Sequence, residues 1–386
     1  MAKLGDKLNY NSMKSEAAAS REISQIIPPR SGVQFLENQT IEFELPSNRP
    51  QEFLDMVNNC KVKLPVTTSG AATLDRCGAY GFIRSIQLTQ NGVVISDVPR
   101  ANVLITGLSD FQMSAEYKST TGRLLEGFEG DCLRGGILAA SQRIFYLSLL
   151  TTNLAMTTPH RDLFMGSSAP IIVRLTLESH VLAYNSAAGG VTYTVDAPEL
   201  HIKTTYLEAS AMSELNQQVK GKYQMLCNAY DHMSYSLVSG TTNAHIKLSF
   251  AKASLERIMF FIRKNDTFSA TAATGGPLFS LGGRDTAKVQ SYQLSINGQQ
   301  YPQVPIRADD EGANYMYHLL AADNIASNYS QGMSGLLNGY AAADTAVSGA
   351  FGANPEISKQ NSYMLEAGAC ASAGKGLNST PGTASN

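Results

Sequence analysis

The chain has 386 residues, of which 43% are apolar and 16% charged, and its formal net charge is −2. That length suits two domains, each able to bury a core of its own. A charge density below the roughly 25% of an ordinary soluble domain points to surface covered by other subunits, because interface cores are depleted in charge, and the near-neutral balance excludes a polybasic nucleic-acid binder.

In chain order, Lys14–Ile27 is predicted as a helix, Ala-rich with Ile23, Ile26 and Ile27 on one side and stopped by Pro28-Pro29. Thr40–Leu45 alternates Ile41, Phe43 and Leu45 with Glu42 and Glu44, the pattern of a half-buried strand, and Pro46 ends it. Further strands are predicted at Asn59–Val66, Phe82–Gln90, Val93–Ile95, Arg143–Leu150, Ile171–Glu178, Val191–Val195 and Leu200–Leu207. Short strands set apart by Gly, Asn, Ser and Pro clusters indicate a sandwich or barrel rather than parallel α/β units. Ser210–Gly221 reads as a short linking helix closed by its glycine, and the domain boundary is placed there. Strands then resume at Met233–Val238, His245–Phe250, Arg257–Arg263, Lys288–Ile296 and Gln300–Val304.

The two halves repeat one sentence. Ile83–Pro99 (IRSIQLTQNGVVISDVP) and Val289–Pro305 (VQSYQLSINGQQYPQVP) agree at seven of 17 positions, and the copies lie 206 residues apart. Chance would give about one identity. Each copy is a strand, an Asn-Gly turn and a second strand; Asn-Gly accepts positive φ at both central positions of a type I′ turn. Each hairpin runs into a stretch with helical character, Asn102–Glu116 and Ala308–Ala321. The reading is a duplicated β domain, since solenoid repeats have periods of about 20–50 residues. The counterpart of Leu200–Leu207 would fall beyond Asn386. A shortened second copy, completion by a neighbouring subunit, or a chain continuing past Asn386 would each explain this; the last is expected, because an open sheet edge is a liability.

Catalytic, cofactor-binding and metal-binding residues are expected to be none. The five cysteines, Cys60, Cys77, Cys132, Cys227 and Cys370, are odd in number and lack C-x-x-C spacing, which argues for reduced thiols. The histidines His160, His180, His201, His232, His245 and His318 never stand three or four apart. His160-Arg161-Asp162 is read as a polar loop, and there is no nucleophile elbow, Walker A loop or dinucleotide fingerprint. In the first 50 residues Lys3, Lys7, Lys14, Arg21, Arg30 and Arg49 are balanced by Asp6, Glu16, Glu22, Glu37, Glu42 and Glu44, so no basic arm and no direct nucleic-acid binding are expected. Met1–Ser12 is polar with no apolar h-region, so no signal peptide is expected, and the sequons at Asn38, Asn265, Asn328 and Asn378 are read as unglycosylated.

Leu255–Pro305 (an apolar strand, a polar loop, Gly-Pro-Leu-Phe and a strand ending Ile-Asn-Gly) resembles the second jelly roll of the double jelly-roll major capsid proteins of tailless icosahedral dsDNA viruses, among them internal-membrane phages, Polinton-like viruses and virophages. Thr40–Asn59 (TIEFELPSNRPQEFLDMVNN) resembles that family's first strand and the step after it, and Phe145–Glu178 its later strands, so the likeness covers most of residues 33–320. It departs at Gly276-Pro277-Leu278-Phe279, where the family has Asn-Pro-Phe, and in its last strands.

The resemblance implies an all-β fold of two tandem eight-stranded jelly-roll sandwiches with short helices after the Asn-Gly hairpins. The expected divisions are an N-terminal arm or helix over 1–32, a first jelly roll over 33–208, a linker helix over 209–222 and a second jelly roll over 223–386. It also implies a homotrimer acting as a pseudo-hexameric capsomer in a virion shell assembled inside the host cell, with penton and minor capsid proteins as partners. Gly122–Gly136 and Ser327–Pro355 would be outward loops, and Lys14–Ile27 would lie under the shell against an internal membrane or a neighbouring capsomer. A duplicated carbohydrate-binding or adhesin sandwich, and a jelly-roll hydrolase, stand as the alternative readings.

Overall fold

Alternating side chains build the first sandwich. The protein is described from a computed structural model, covering residues 20–74, 77–113, 115–128, 136–137, 141–152, 154–155, 162–185, 191–220, most of 223–249, 257–260, 291–307 and 363–366. The strands of the first half are β1 (Ser20–Ile27), β2 (Gln34–Leu36), β3 (Thr40–Glu44), β4 (Glu52–Leu54), β5 (Cys60–Thr68), β6 (Ala72–Leu74), β7 (Ile83–Gln90), β8 (Val93–Val98), β9 (Gly136–Ile137), β10 (Gln142–Ser148), β11 (Leu163–Phe164), β12 (Ile171–Leu177), β13 (Tyr184–Asn185), β14 (Tyr193–Asp196) and β15 (Glu199–Leu207). Eight of them form one sheet in the order β11-β4-β15-β5-β14-β2, with β1 also on β15 and β10 also on β5. Facing it is a four-stranded sheet, β3-β12-β7-β8, and β13-β6-β9 make a small third sheet.

Strand β12 shows the logic: Ile171, Val173, Leu175 and Leu177 are buried, while Ile172, Arg174 and Thr176 are only half covered. Its register sets Val173 opposite Phe43 of β3 and Leu88 of β7. On the larger sheet Val62, Leu64 and Val66 turn inward with Phe145, Leu147, Leu200 and Ile202, and these residues make one apolar core between the sheets. Each fully buried aliphatic or aromatic side chain is worth about 1.5–3 kcal/mol of transfer free energy. Pro65 stands inside β5, where a ladder donor is missing. It falls where β5 changes partner on one side, from β15 (paired to Lys63) to β14 (paired from Val66), so its lack of an N–H breaks no rung there.

The Asn-Gly hairpins form as read. Asn91 and Gly92 take φ of 50° and 78° between β7 and β8; Asn297 and Gly298 take 50° and 81° between β17 (Ser291–Ile296) and β18 (Gln299–Arg307). After the first hairpin comes α1 (Ala101–Gln112), which packs Ala101, Ile105 and Leu108 on its buried side, then α2 (Ala115–Ser119) and α3 (Thr121–Leu125). The matching stretch Ala308–Ala321 lies outside the described residues. The linking helix is α5 (Ala209–Val219), following the short α4 (His180–Ala183). Its closing left-handed residue is Lys220, at φ 53°.

Four expectations are corrected. Ser20–Ile27 is not helix but strand β1, paired along its whole length with β15, with Ile23 and Ile27 half covered and Ile26 exposed. A free sheet edge with eight ladder partners outweighs the weak helical preference of an isoleucine-rich segment. Met233–Val238 and His245–Phe250 carry strand-like alternation, yet Met233–Val238 and the described part of the second segment, residues 245–249, form no ladder with any described residue; alternation alone does not make a strand. The outward loop expected over Gly122–Gly136 is instead, through Phe128, the helix α3 and an inward turn, because the Phe128 ring is fully buried beside Tyr80. Finally, the tail does supply a strand: β19 (Tyr363–Glu366) pairs antiparallel with β16 (Arg257–Phe260).

Candidate assembly surfaces

No group of three or more His, Cys, Asp or Glu side chains is arranged to hold a metal ion among the described residues. The titratable groups that do meet are pinning contacts between neighbouring segments. His180 donates its backbone N–H to Glu37 at 2.7 Å and sets Nδ1 2.6 Å from the same oxygen, tying α4 to the β2–β3 turn. His201 and Lys63 both reach Glu199, each at 2.9 Å, and the bonds from Lys63 and then His201 hold that carboxyl below its ordinary value. His160 and Arg161 lie outside the described residues; burial, with Asp55 nearby, raises Asp162.

Two buried glutamate side chains fix the helical excursion that follows β8. Glu178, 2% exposed, accepts from Asn102 Nδ2 at 2.8 Å and from Arg100 at 3.4 Å, and so anchors the first turn of α1 to the end of β12. Glu126, also 2% exposed, follows α3. Its Oε1 lies 2.9 Å from the Tyr80 hydroxyl on the 3-10 helix Gly78–Phe82, and its Oε2 accepts from Tyr117 of α2 at 3.0 Å. The Ser148 backbone N–H donates to the Tyr80 oxygen at 3.0 Å, and Lys61 donates to the Ser148 hydroxyl. Sequence reading passed over this cluster. Its one local sign is a lone glutamate in an apolar and glycine run, Leu124-Leu125-Glu126-Gly127-Phe128.

Several exposed apolar side chains among the described residues stand on the hairpins and on α3. Val93 and Val94, 66% and 50% exposed, stand at the tip of the first hairpin, where β8 is the edge of its sheet. In the second hairpin Val304 is 74% exposed, whereas its aligned partner Val98 is buried in the first sandwich. Leu124, Leu125 and Ile144 are bare on α3 and β10, which pack together. Beyond α5, Tyr223 stacks on Phe164 with ring centroids 3.9 Å apart, and Phe53 completes the cluster at 5.4 Å from Phe164. These rings fasten the chain leaving the linking helix onto the outer side of β4 and β11.

Among solved structures, PBCV-1 VP54, fitted into a cryo-EM reconstruction of the virophage Sputnik, matches 78% of this chain and 74% of its own at 13% identity and a TM-score of 0.55. The fold is a double jelly roll. A quasi-atomic model of the PBCV-1 virus capsid matches the same shares at 15% identity and a TM-score of 0.48, and the mavirus major capsid protein matches 54% of this chain and 52% of its own at 10% and 0.29. No family model matches the sequence, and no curated protein matches it. The hairpin β7–β8 and its repeat β17–β18 share the same strand, Asn-Gly turn and strand at two places in one chain.

Proposed function

We propose that the chain is the major capsid protein of a tailless icosahedral dsDNA virus, located in the virion shell. The observation that carries this reading is the double jelly-roll fold shared with PBCV-1 VP54 over most of both chains. The duplicated hairpin, the low charge density and the bare apolar edges agree with it.

The proposed divisions are an arm over 1–32 that carries β1, a first jelly roll over 33–208, a linker over 209–222 and a second jelly roll over 223–386. Three chains would place six similar jelly rolls around one axis, so that a threefold object fills a sixfold site. Interfaces of that kind bury thousands of Å². The partners are then other copies of this chain, with penton and minor capsid proteins at special positions in the shell. Contact with an internal membrane would fall to residues 1–19, since Ser20–Ile27 is committed to the sheet edge. The role is structural, with no catalytic step assigned.

Sedimentation and negative-stain electron microscopy of the purified chain test the reading. The expected species is a trimer near three times 41.4 kDa, or larger shells with hexagonal capsomers. A monodisperse monomer that binds sugar would overturn it.

A further inference from the structure

The hydroxyl of Tyr80 has one neighbour too many for an ionised Glu126. Its oxygen accepts from the Ser148 backbone N–H at 3.0 Å, and it lies 3.1 Å from the Ser148 carbonyl and 2.9 Å from Glu126 Oε1. A phenol carries a single hydrogen. With the carboxyl ionised, both remaining neighbours are acceptors, and one of them faces a bare phenol oxygen. In a buried site that missing bond leaves the full desolvation cost of the group unrelieved. A proton on Oε1 removes the conflict. The acid then donates to Tyr80, Tyr80 donates to the Ser148 carbonyl, and Oε2 still accepts from Tyr117.

Among the described residues no lysine bonds Glu126 directly. Lys61 of β5 sends its ammonium to the Ser148 hydroxyl, which stands 3.5 Å from Oε1, at the outer limit of a hydrogen bond. Lys118 of α2 lies over the Phe128 ring, 5.8 Å from its centroid.

We propose that Glu126 is a carboxylic acid in the folded chain, and that its ionisation unlatches the α2–α3 segment from the sandwich. Burial raises Glu126 above its ordinary value of 4.5, against the lowering effect of its hydrogen bonds and of Lys61. Burial, with Glu126 beside them, also raises Tyr80 and Tyr117, so both phenols stay neutral through the same range. The sign follows. A folded-state value raised above the unfolded one gives stability that is complete below the unfolded value and is lost as pH rises through the folded one. The latch is closed in acid and opens toward alkaline pH. This holds for the chain itself, whatever it assembles into.

The test is amide hydrogen exchange over residues 115–128, read as protection factors at about pH 5 and about pH 8, in the unmodified chain and in Glu126→Gln. In the unmodified chain, protection is expected to fall about tenfold for each unit of pH inside the linked window. Glu126→Gln, whose amide donates where the acid O–H does, is expected to keep its acid-side protection at both values. Loss of protection in Glu126→Gln at both values would mean that an ionised acceptor had been removed, and would overturn the proposal. Infrared difference spectra of the unmodified chain give a second reading that needs no variant. A protonated-carboxyl C=O band is expected to persist above the pH at which exposed carboxyls have ionised, and its absence there would also refute the assignment.

Discussion

Replacing single glycines with alanine separates backbone strain from crowding in this chain. Gly92 and Gly298 hold φ of 78° and 81°, and a Cβ at either would meet nothing within 4 Å. Alanine there bears only the cost of left-handed backbone, about 1–2 kcal/mol. Gly78 has a similar φ of 58°, but its Cβ would lie 2.4 Å from the Glu126 carbonyl oxygen and 2.9 Å from the Gly127 carbon and the Phe128 nitrogen. Those are backbone atoms, so no side chain can rotate away. The turn carrying Glu126 would have to move, and overpacking of that kind costs about 1–3 kcal/mol more. Gly78→Ala is therefore expected to lose about 2–5 kcal/mol in total, and Gly92→Ala and Gly298→Ala about 1–2 kcal/mol each. Equilibrium urea unfolding with an unchanged m-value is the assay. If Gly78→Ala matched Gly92→Ala, the close seat of residues 126–128 against the 3-10 helix would be wrong. Unequal losses for Gly92→Ala and Gly298→Ala would refute the equivalence of the two hairpins.

Burial leaves Cys60 and Cys77 fully covered and pushes the Cys60 thiol up to about 12, so both are expected to resist alkylation until the chain is denatured, as mapped by mass spectrometry. Phe82 is fully buried, with Tyr193, Tyr184 and Phe145 around it at 4.9, 6.0 and 6.4 Å. Phe82→Ala is expected to cost about 3–5 kcal/mol in the same urea assay. Below pH 4.5 the fold is expected to weaken through Glu37 and Glu199. For Glu37 the bonds from His180 outweigh the upward push of burial, and Lys63 and His201 lower Glu199, so both give stability that is present above 4.5 and lost as pH falls through the depressed values. Each pair is partly exposed and worth about 0–1 kcal/mol; the double variant Glu37→Gln, Glu199→Gln should flatten the acid limb of a stability–pH curve, and an unchanged limb would count against both pairs.

What was legible in the sequence is what local chemistry controls. Period-two burial located β3, β5, β7, β12 and β15 to within about two residues, and Asn-Gly located both turns at the residue, because positive φ at two consecutive positions leaves few choices. What was not legible depends on a distant partner. Ser20–Ile27 becomes a strand because β15 offers an edge some 180 residues later in the chain, a pairing that no window of sequence contains. Tyr363–Glu366 pairs with Arg257–Phe260 from inside a tail rich in small residues for the same reason. The Glu126 cluster draws its members from β5, the 3-10 helix, α2, the turn after α3, and β10, so its parts are unremarkable until the fold brings them together.

The placement of charge connects these observations to assembly. Many of the described charged side chains are spent between neighbouring strands. Arg174 meets Glu42 at 2.7 Å, directly opposite in the β12–β3 register, and Lys63 meets Glu199 at 2.9 Å, directly opposite across β5 and β15. Lys203 meets Glu22 between β15 and β1, and Arg30 reaches Glu44 at 3.3 Å. Opposite charges facing each other across a ladder fix register at a gain of roughly 0.2–1 kcal/mol each, so here they discriminate against slipped pairings more than they add stability. The cost falls on the rims. With few charges left over, the tip of the first hairpin, the body of β18 and α3 present Val93, Val304 and Leu124 at 66%, 74% and 77% exposure. An isolated monomer with such rims invites unspecific association, whereas a subunit whose repeated edges meet other copies of itself covers them. A chain that uses its scarce charge to hold register, and leaves apolar side chains bare on its hairpins, fits the proposed role of a subunit buried by its neighbours.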